Sequence, residues 1–356
     1  MPDLHTLGWD DQYEEAFAPH HAAGFVPARV AVQHRGAYDV LTAEGERRVE
    51  VLPRIVRDSV TIADLPAVGD WVAIEPDGED RGVIHAVLPR RTKFSRLAAS
   101  AGDSTDEQVL SANIDVVFIV TSLNEDLNLR RLERYLILAW ESGARPVILL
   151  TKADLVDDPA ALVGEVEAVA TGVPVHVVSA LRGDGVELVR SEVRAGHTAT
   201  LLGSSGVGKS TLLNALLDEE RMETQGLRAD GRGRHTTRRR ELTLLPEGGM
   251  VIDTPGMREL QLWIGDTGLE GTFDDVTSLF EHCRFNDCAH ETEPGCAVQA
   301  ALADGSLEPE RWESYRKLER EIAALERRLD KRAQSDQRRR WKVMTKAYRT
   351  RPDKRR

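Results

Sequence analysis

The sequence predicts a multi-domain chain: a small closed β-barrel first, then an α/β domain on a mostly parallel sheet, then a metal-binding segment with a helix and a basic tail. Three observations carry this. Residues 28–88 are written as short alternating apolar runs broken by turn residues. From about residue 93 the runs lengthen into strand-then-helix units. All three cysteines, Cys283, Cys288 and Cys296, fall within one short stretch of a 356-residue chain. That length has room for about two or three domains at roughly 100–200 residues each. We expect a lead over 1–24, a barrel over 25–92, an α/β domain over 93–265, a metal-binding domain over 266–335 and a tail over 336–356.

The lead, MPDLHTLGWDDQYEEAFAPHH, reads as polar and partly helical, with no legible role. It carries acids where a secretory signal would be basic and then apolar, and no run of about eighteen apolar residues occurs anywhere. A cytoplasmic protein without a membrane partner is the expectation. The barrel follows from the runs ARVAVQH, AYDVLT, RRVEVLPRIV, DWVAIE and GVIHAVLP, punctuated by Gly36, Gly45, Gly69, Gly78 and Gly82. Several short strands at even spacing suit a five-stranded barrel of the OB type, or another small barrel used as a contact domain. After a loop around PRRTKFSR, IDVVFIVTS is a buried strand, LRRLERYLILAWESG an amphipathic helix, and RPVILLTKAD a strand with its loop. A helix near 159–170, the strand VPVHVVSA, a helix at 186–195, the strand TATLLG, a helix from Lys209, and the strands ELTLLP and GMVIDTPG complete the set.

The formal charge of −12 conceals an asymmetry. Residues 311–356 hold 18 Lys+Arg against 7 Asp+Glu, so the rest of the chain is strongly acidic. An acidic body repels nucleic acid at long range and a basic arm attracts phosphate, so any such contact is local. The last stretch, RRRWKVMTKAYRTRPDKRR, interleaves Trp341 and Tyr348 with cations, which suits RNA phosphates and exposed bases; a solubilising tail is the alternative.

The loops carry the chemistry. GSSGVGKS, comprising Gly203, Ser204, Ser205, Gly206, Val207, Gly208, Lys209 and Ser210 and followed by Thr211, fits a phosphate-binding loop between a strand and a helix. Its glycines let backbone N–H groups close on phosphate oxygens at a helix N-terminus; Lys209 reaches the β- and γ-phosphates and Ser210 binds Mg²⁺. In TKAD, which contains Thr151 and Lys152, the Asp154 carboxylate can accept two hydrogen bonds from the N1 and N2 edge of guanine, a pair that adenine lacks. SAL adds Ser179 and Ala180, with a backbone N–H for guanine O6. DTPG adds Asp253 for the Mg²⁺ shell and the Gly256 N–H for the γ-phosphate. All of these fall at strand C-terminal ends, where ligands sit in doubly wound sheets.

Cys283, Cys288, His290 and Cys296 read C-x₄-C-x-H-x₅-C. Three thiolates and an imidazole suit one closed, tetrahedral, structural Zn²⁺. Buried reduced cysteines, or His282 in place of His290, are the alternatives. The helix RWESYRKLEREIAALERRLDKRA, with Trp312, Tyr315, Leu318, Ile322, Leu325 and Leu329 on one stripe, is expected to pack on its own domain.

In Ras-like GTPases the order is phosphate loop, switch threonine, DxxG, [NT]KxD, SA. This chain reads TKAD, SAL, GSSGVGKS, HTT, DTPG, so it resembles a circularly permuted GTPase. Permutation is tolerated where the original termini lie close together. With LPAVGDWVAIE, AVLPRRTKFSR, GRGRHTT, DTPGMREL and CRFNDCAHETEPGCAV, it is similar over roughly residues 25–330 to the ribosome-small-subunit-dependent GTPase A family. The resemblance implies an OB domain, a permuted GTPase and a zinc domain, with GTP converted to GDP in late assembly of the 30S subunit. The partners it implies are the 30S subunit and 16S rRNA, with no DNA; a monomer is expected. Met257 stands where Ras-like proteins orient the attacking water with glutamine, so the family's histidine before the switch threonines, here His235, becomes the candidate. Contact with RNA beside Arg232, Arg234 and Arg238 is the other role open to it. Thr236 or Thr237 supplies the switch hydroxyl. Thr151 replaces the commoner asparagine, and Arg238 follows HTT where a third threonine is common. Two competing readings are an RNA-dependent P-loop ATPase and a non-catalytic rRNA-binding scaffold. Because DTPG leads directly into residues 266–312, the segment after it is placed to respond to nucleotide state.

Overall fold

The computed structural model describes residues 3–59, 61–97, 107–124, 127–218, 240–253 and 266–327. His235, Thr236, Thr237, Gly256, Met257 and the tail over 336–356 lie outside the described residues. The described residues up to 275 form one compact unit and those from 276 to 327 a second.

The first unit begins with helix α1 (Asp11–His21). Asp10 caps it by accepting from the backbone N–H of Gln12 and Tyr13, and Asp11 and Glu14 at one end with His20 and His21 at the other match the helix dipole. The lead is not merely polar, as the sequence suggested. Leu7, Trp9, Tyr13 and Phe17 are buried, because one-turn spacing from Trp9 puts the aromatics on one face. Trp9 meets Trp71 of the barrel edge-on at 4.7 Å.

Five strands make the barrel: β1 (Val26–Gln33), β2 (Tyr38–Thr42), β3 (Gly45–Val51), β4 (Trp71–Asp77) and β5 (Arg81–Val87). They close in the order β1-β2-β3-β5-β4-β1, with β3 and β5 parallel and the other pairs antiparallel. Bulges between Val30 and Val32 and between Ala73 and Ile74 provide the bending that closure needs. Ala28, Val30, Val40, Val49, Val72, Ile74 and Ile84 fill the interior. The third run ends sooner than its apolar text suggests, since Pro53 starts a short helix, α2 (Pro53–Asp58). The stretch around PRRTKFSR, expected as a loop, is partly strand β6 (Lys93–Leu97), paired antiparallel with β7 (Glu107–Ala112). Lys93, Ser95 and Arg96 gave it no alternating apolar signal.

The remaining strands are β8 (Val116–Ser122), β9 (Arg145–Thr151), β10 (Val175–Val177), β11 (Thr198–Leu202), β12 (Glu241–Leu244) and β13 (Met250–Asp253). They lie in the order β10-β9-β8-β11-β13-β12, all parallel except β12. The helices are α3 (Leu129–Glu141), α4 (Ala160–Val169), α5 (Val186–Glu192) and α6 (Lys209–Leu217). Leu132, Leu136 and Val166 of α3 and α4 share a core with Val117, Ile119 and Ile148 on one face of the sheet. Val189, Leu212 and Leu216 of α5 and α6 share another with Phe118, Val120 and Leu149 on the opposite face. Burial of both faces explains why β8 reads as an unbroken apolar run. Val32 of the barrel pairs with Glu241 of β12, so barrel and central sheet run on as one hydrogen-bonded sheet. Helix α7 (Asp266–Thr272) packs against α3, where Glu141 accepts from the Gly268 N–H, and the short α8 (Asp274–Thr277) carries the chain from the first unit into the second.

In the second unit a short turn at Phe280–His282 leads to α9 (Ala297–Asp304) and a helix over 309–327. Tyr315, Leu318 and Ile322 are buried, and Tyr315 packs edge-on against Phe280, so the stripe does serve its own unit. Among the described residues no helix is long and apolar enough to cross a membrane.

Candidate nucleotide site and metal centre

Parallel strands β9, β10, β11 and β13 deliver their loops to one end of the sheet. The β11 loop begins at Gly203, where a Cβ would collide with the Val120 carbonyl, so only glycine fits. It ends at Gly208, which holds a left-handed φ of 98° and opens α6 at Lys209. Helix α6 has no side-chain cap, so its first N–H groups face the loop. The Lys209 ammonium donates to the carbonyls of Gly203 and Ser204 at 2.8 and 2.5 Å, folding back over the loop. Ser210 and Thr211 follow in the first turn of α6, half-buried, and Asp253 ends β13 beside β11.

The base end is tied together by hydroxyls. Ser179 donates to the Asp154 carboxylate at 2.7 Å, and this hydrogen bond is the main reason the carboxyl is held below its ordinary pKa. The Ser179 N–H is fixed in turn by the Asp184 carbonyl. Thr151 is buried, with its hydroxyl 2.5 Å from the Val207 carbonyl in the phosphate loop. Lys152 takes a left-handed φ of 58°, which turns the chain from β9 toward Asp154. Ala180 and Leu181 follow Ser179, with Leu181 79% exposed. The structure thus brings Thr151, Lys152, Asp154, Ser179, Ala180, the phosphate loop and Asp253 to one sheet end. The Thr151 link was not read from the sequence, since a threonine in place of asparagine carries no sign of a bridge between loops. The contact between Tyr135 of α3 and the Ser204 hydroxyl, at 3.5 Å, had no sequence signal either.

In the second unit the ligand atoms of Cys283, Cys288, His290 and Cys296 all lie within 4.8 Å of one another and can hold a metal ion. His290 Nδ1 is 3.5 Å from both Cys283 Sγ and Cys296 Sγ. A tetrahedral ion with bonds of roughly 2.0–2.3 Å needs ligand spacings of about this size. His282 is not in the cluster; its Nδ1 lies 3.0 Å from the Ser278 carbonyl. The His290 ring stacks on Phe280 at 4.3 Å and its carbonyl accepts from Gln299. Backbone N–H groups of Ala297 and Gln299 point at Cys283 and Cys296 sulfur, the environment a thiolate needs.

Comparison with known proteins follows the same lines. A family model described as RsgA GTPase matches residues 87–263, and one described as 50S ribosome-binding GTPase matches 198–332. The small ribosomal subunit biogenesis GTPase RsgA of Opitutus terrae is 48% identical over 98% of this chain and 97% of its own. This chain belongs to the RsgA GTPase family. Another RsgA, from Streptomyces coelicolor, is 48% identical over 95% of this chain and 92% of its own. The crystal structure of YjeQ from Thermotoga maritima superposes with a TM-score of 0.63 at 28% identity, covering 84% of this chain and 99% of that one. YloQ, described as a circularly permuted GTPase, superposes at 0.62 with 24% identity over 86% of this chain and 97% of its own, a likeness of fold. The RsgA fold, with its barrel, permuted GTPase domain and Cys–His cluster, is the one the sequence predicted.

Proposed function

We propose that this chain is a GTP hydrolase that acts in biogenesis of the small ribosomal subunit, converting GTP to GDP and phosphate. The observation that carries the reading is the Asp154 carboxylate, held by Ser179 at the same sheet end as the phosphate loop. That arrangement supports guanine over adenine, because an ionised carboxylate accepts the paired N–H groups of guanine. Ser179 and Ala180 flank guanine O6. The Lys152 stem covers the base, with Thr151 steadying the loop.

Backbone N–H groups from Gly203 to Ser210 cradle the phosphates, and Lys209 leaves its two carbonyl partners for the β- and γ-phosphates. Ser210 and Asp253 hold Mg²⁺, whose charge offsets that of the phosphates. The Gly256 N–H meets the γ-phosphate, Thr236 or Thr237 completes the metal shell, and His235 orients the attacking water. The Cys283, Cys288, His290 and Cys296 cluster holds one structural Zn²⁺, since all four donors are used and no open position remains.

The family names support the small subunit as partner. In this reading the barrel over 25–92 and the tail over 336–356 contact 16S rRNA, and the protein works as a cytoplasmic monomer. Sedimentation with 30S subunits tests it. Retention with a non-hydrolysable GTP analogue and release with GDP is expected, and no retention with either nucleotide sinks the assignment. His235→Ala is expected to slow single-turnover hydrolysis on the subunit by about 10²-fold or more without altering retention, the scale of a lost general base or water-positioning group.

A further inference from the structure

His290 reaches the metal centre from a loop with little packing of its own. Ala289, Glu291 and Thr292 beside it are exposed, and its backbone takes a left-handed φ of 59°, a region that residues with a Cβ seldom enter. Such a conformation persists where the surroundings hold it. Here Gln299 Nε2 donates to the His290 carbonyl at 2.8 Å, and the Glu293 carboxylate accepts from the N–H groups of Ala289, Glu291 and Thr292. These contacts fix the main chain and leave the two side-chain torsions of the imidazole to be set by something else.

The ring is set from outside the loop. Phe280, in the short turn before Cys283, stacks on it with centroids 4.3 Å and planes 21° apart. Trp312, on the helix over 309–327, meets it edge-on at 5.9 Å and 87°. Tyr315 backs both partners, edge-on to Phe280 and flat against Trp312, each at 5.6 Å. The same helix steadies the loop beside the ligand. Arg316 lies over the Trp312 ring, with its guanidinium 3.4 Å from the Ala289 carbonyl and 3.7 Å from the Glu291 carboxylate.

Bounded in this way, the imidazole presents Nδ1 at 3.5 Å from both Cys283 Sγ and Cys296 Sγ. Metal-ligating histidines are commonly oriented through a hydrogen bond at their other ring nitrogen. Among the described residues none is made to Nε2 of His290, so the aromatic contacts are what is left to orient it.

We propose that Phe280 and Trp312 are positioning residues of the metal centre: they set the His290 imidazole in its ligand orientation, so that the single nitrogen donor is in place before an ion arrives. This role rests on the zinc reading of the cluster and extends it to two residues that supply no ligand atom. Because Trp312 and Arg316 stand on the helix that precedes the basic tail, ion and helix are coupled, and what steadies one steadies the other.

The test is a Zn²⁺ titration of the full-length protein against a chromophoric chelator, with the visible absorption of Co²⁺ in the same site as a second readout. Phe280→Leu and Trp312→Leu are each expected to weaken Zn²⁺ by about 10–100-fold while GDP affinity stays unchanged. Phe280→Tyr keeps the stacked ring and is expected to stay close to native. A double-mutant cycle separates positioning from plain packing. If Phe280 acts through the imidazole, Phe280→Leu costs little further Zn²⁺ affinity once His290→Ala is present, and the Co²⁺ spectrum of Phe280→Leu moves toward that of His290→Ala. An equal cost in both backgrounds, or Zn²⁺ affinity unchanged in both leucine variants, overturns the proposal and leaves the zinc reading standing. A native protein that takes up no Zn²⁺ removes the zinc reading itself, and the positioning role with it.

Discussion

At the nucleotide loops the polar side chains are already tied to the protein, whereas at the Cys–His cluster the donor atoms crowd one another. Asp154 rests on Ser179, Thr151 on the Val207 carbonyl, and Lys209 on two loop carbonyls, over the cores of a two-faced sheet. Cys283, Cys296 and His290 stand 3.5–4.0 Å apart in a unit whose described part has only two helices and a short turn. The difference teaches that the first site is ordered by folding itself, whereas the second presents four donors that can hold an ion, on which the folding of so small a unit would draw. Small units with few buried apolar groups draw stability from a metal for this reason.

The largest expected effect breaks the comparison at its weaker side. Removing the ion with a chelator, or substituting Cys296→Ser, forfeits binding free energy that reaches about 10–16 kcal/mol in small zinc domains. Hydrogen exchange over 276–327 is then expected to lose its protection while GDP affinity changes less than twofold. Parallel loss of GDP binding would mean that the two sites are not independent in this way.

Next in size is Asp154→Ala. It removes two charge-assisted hydrogen bonds of about 1.5–3 kcal/mol each, so GDP affinity is expected to fall by about 10²–10⁴ in calorimetry, with the fold intact. Ser179→Ala leaves the carboxylate and removes its hydroxyl partner, and about a tenfold loss is expected. Its pH dependence sharpens the point. Asp154 must be ionised to accept from guanine, and Ser179 holds its pKa low, so affinity in the native protein is lost only as pH falls through that lowered value. In the variant the pKa returns toward the ordinary carboxylate value, and the acid loss moves to higher pH. An unchanged acid limb would show that Ser179 does not set the state of Asp154.

Smallest is Thr151→Val, which keeps the shape and removes the bridge between the loops. A loss of about 1 kcal/mol of stability and a few-fold weaker GDP binding are expected from thermal melts and calorimetry.

The permuted order of the motifs, the five barrel strands and the four clustered ligands were all legible in the sequence, because each rests on local text: a glycine spacing, an alternation, a Cys–His interval. What escaped rests on distance. Tyr13 and Trp9 read as parts of a polar lead until Trp71, from the fourth barrel strand, lies against them. Arg29 looks like a surface cation in an alternating strand, and its partners come from residues 7, 69, 113 and 198. Strand β6 was hidden because Phe94 is followed by Ser95 and Arg96, and the bulge between Phe94 and Ser95 breaks any alternation. The link from Thr151 to the phosphate loop had no sequence signal, because its partner, Val207, lies in a loop that comes after it in the chain and beside it in the sheet.

Phosphate release from GTP and from ATP, with and without purified 30S subunits, for the native protein and Lys209→Ala, tests the central claim most directly. The account predicts turnover that is selective for GTP, rises strongly with 30S subunits and vanishes in the variant. Turnover that stays flat when 30S subunits are added, or that proceeds equally well with ATP, would contradict it.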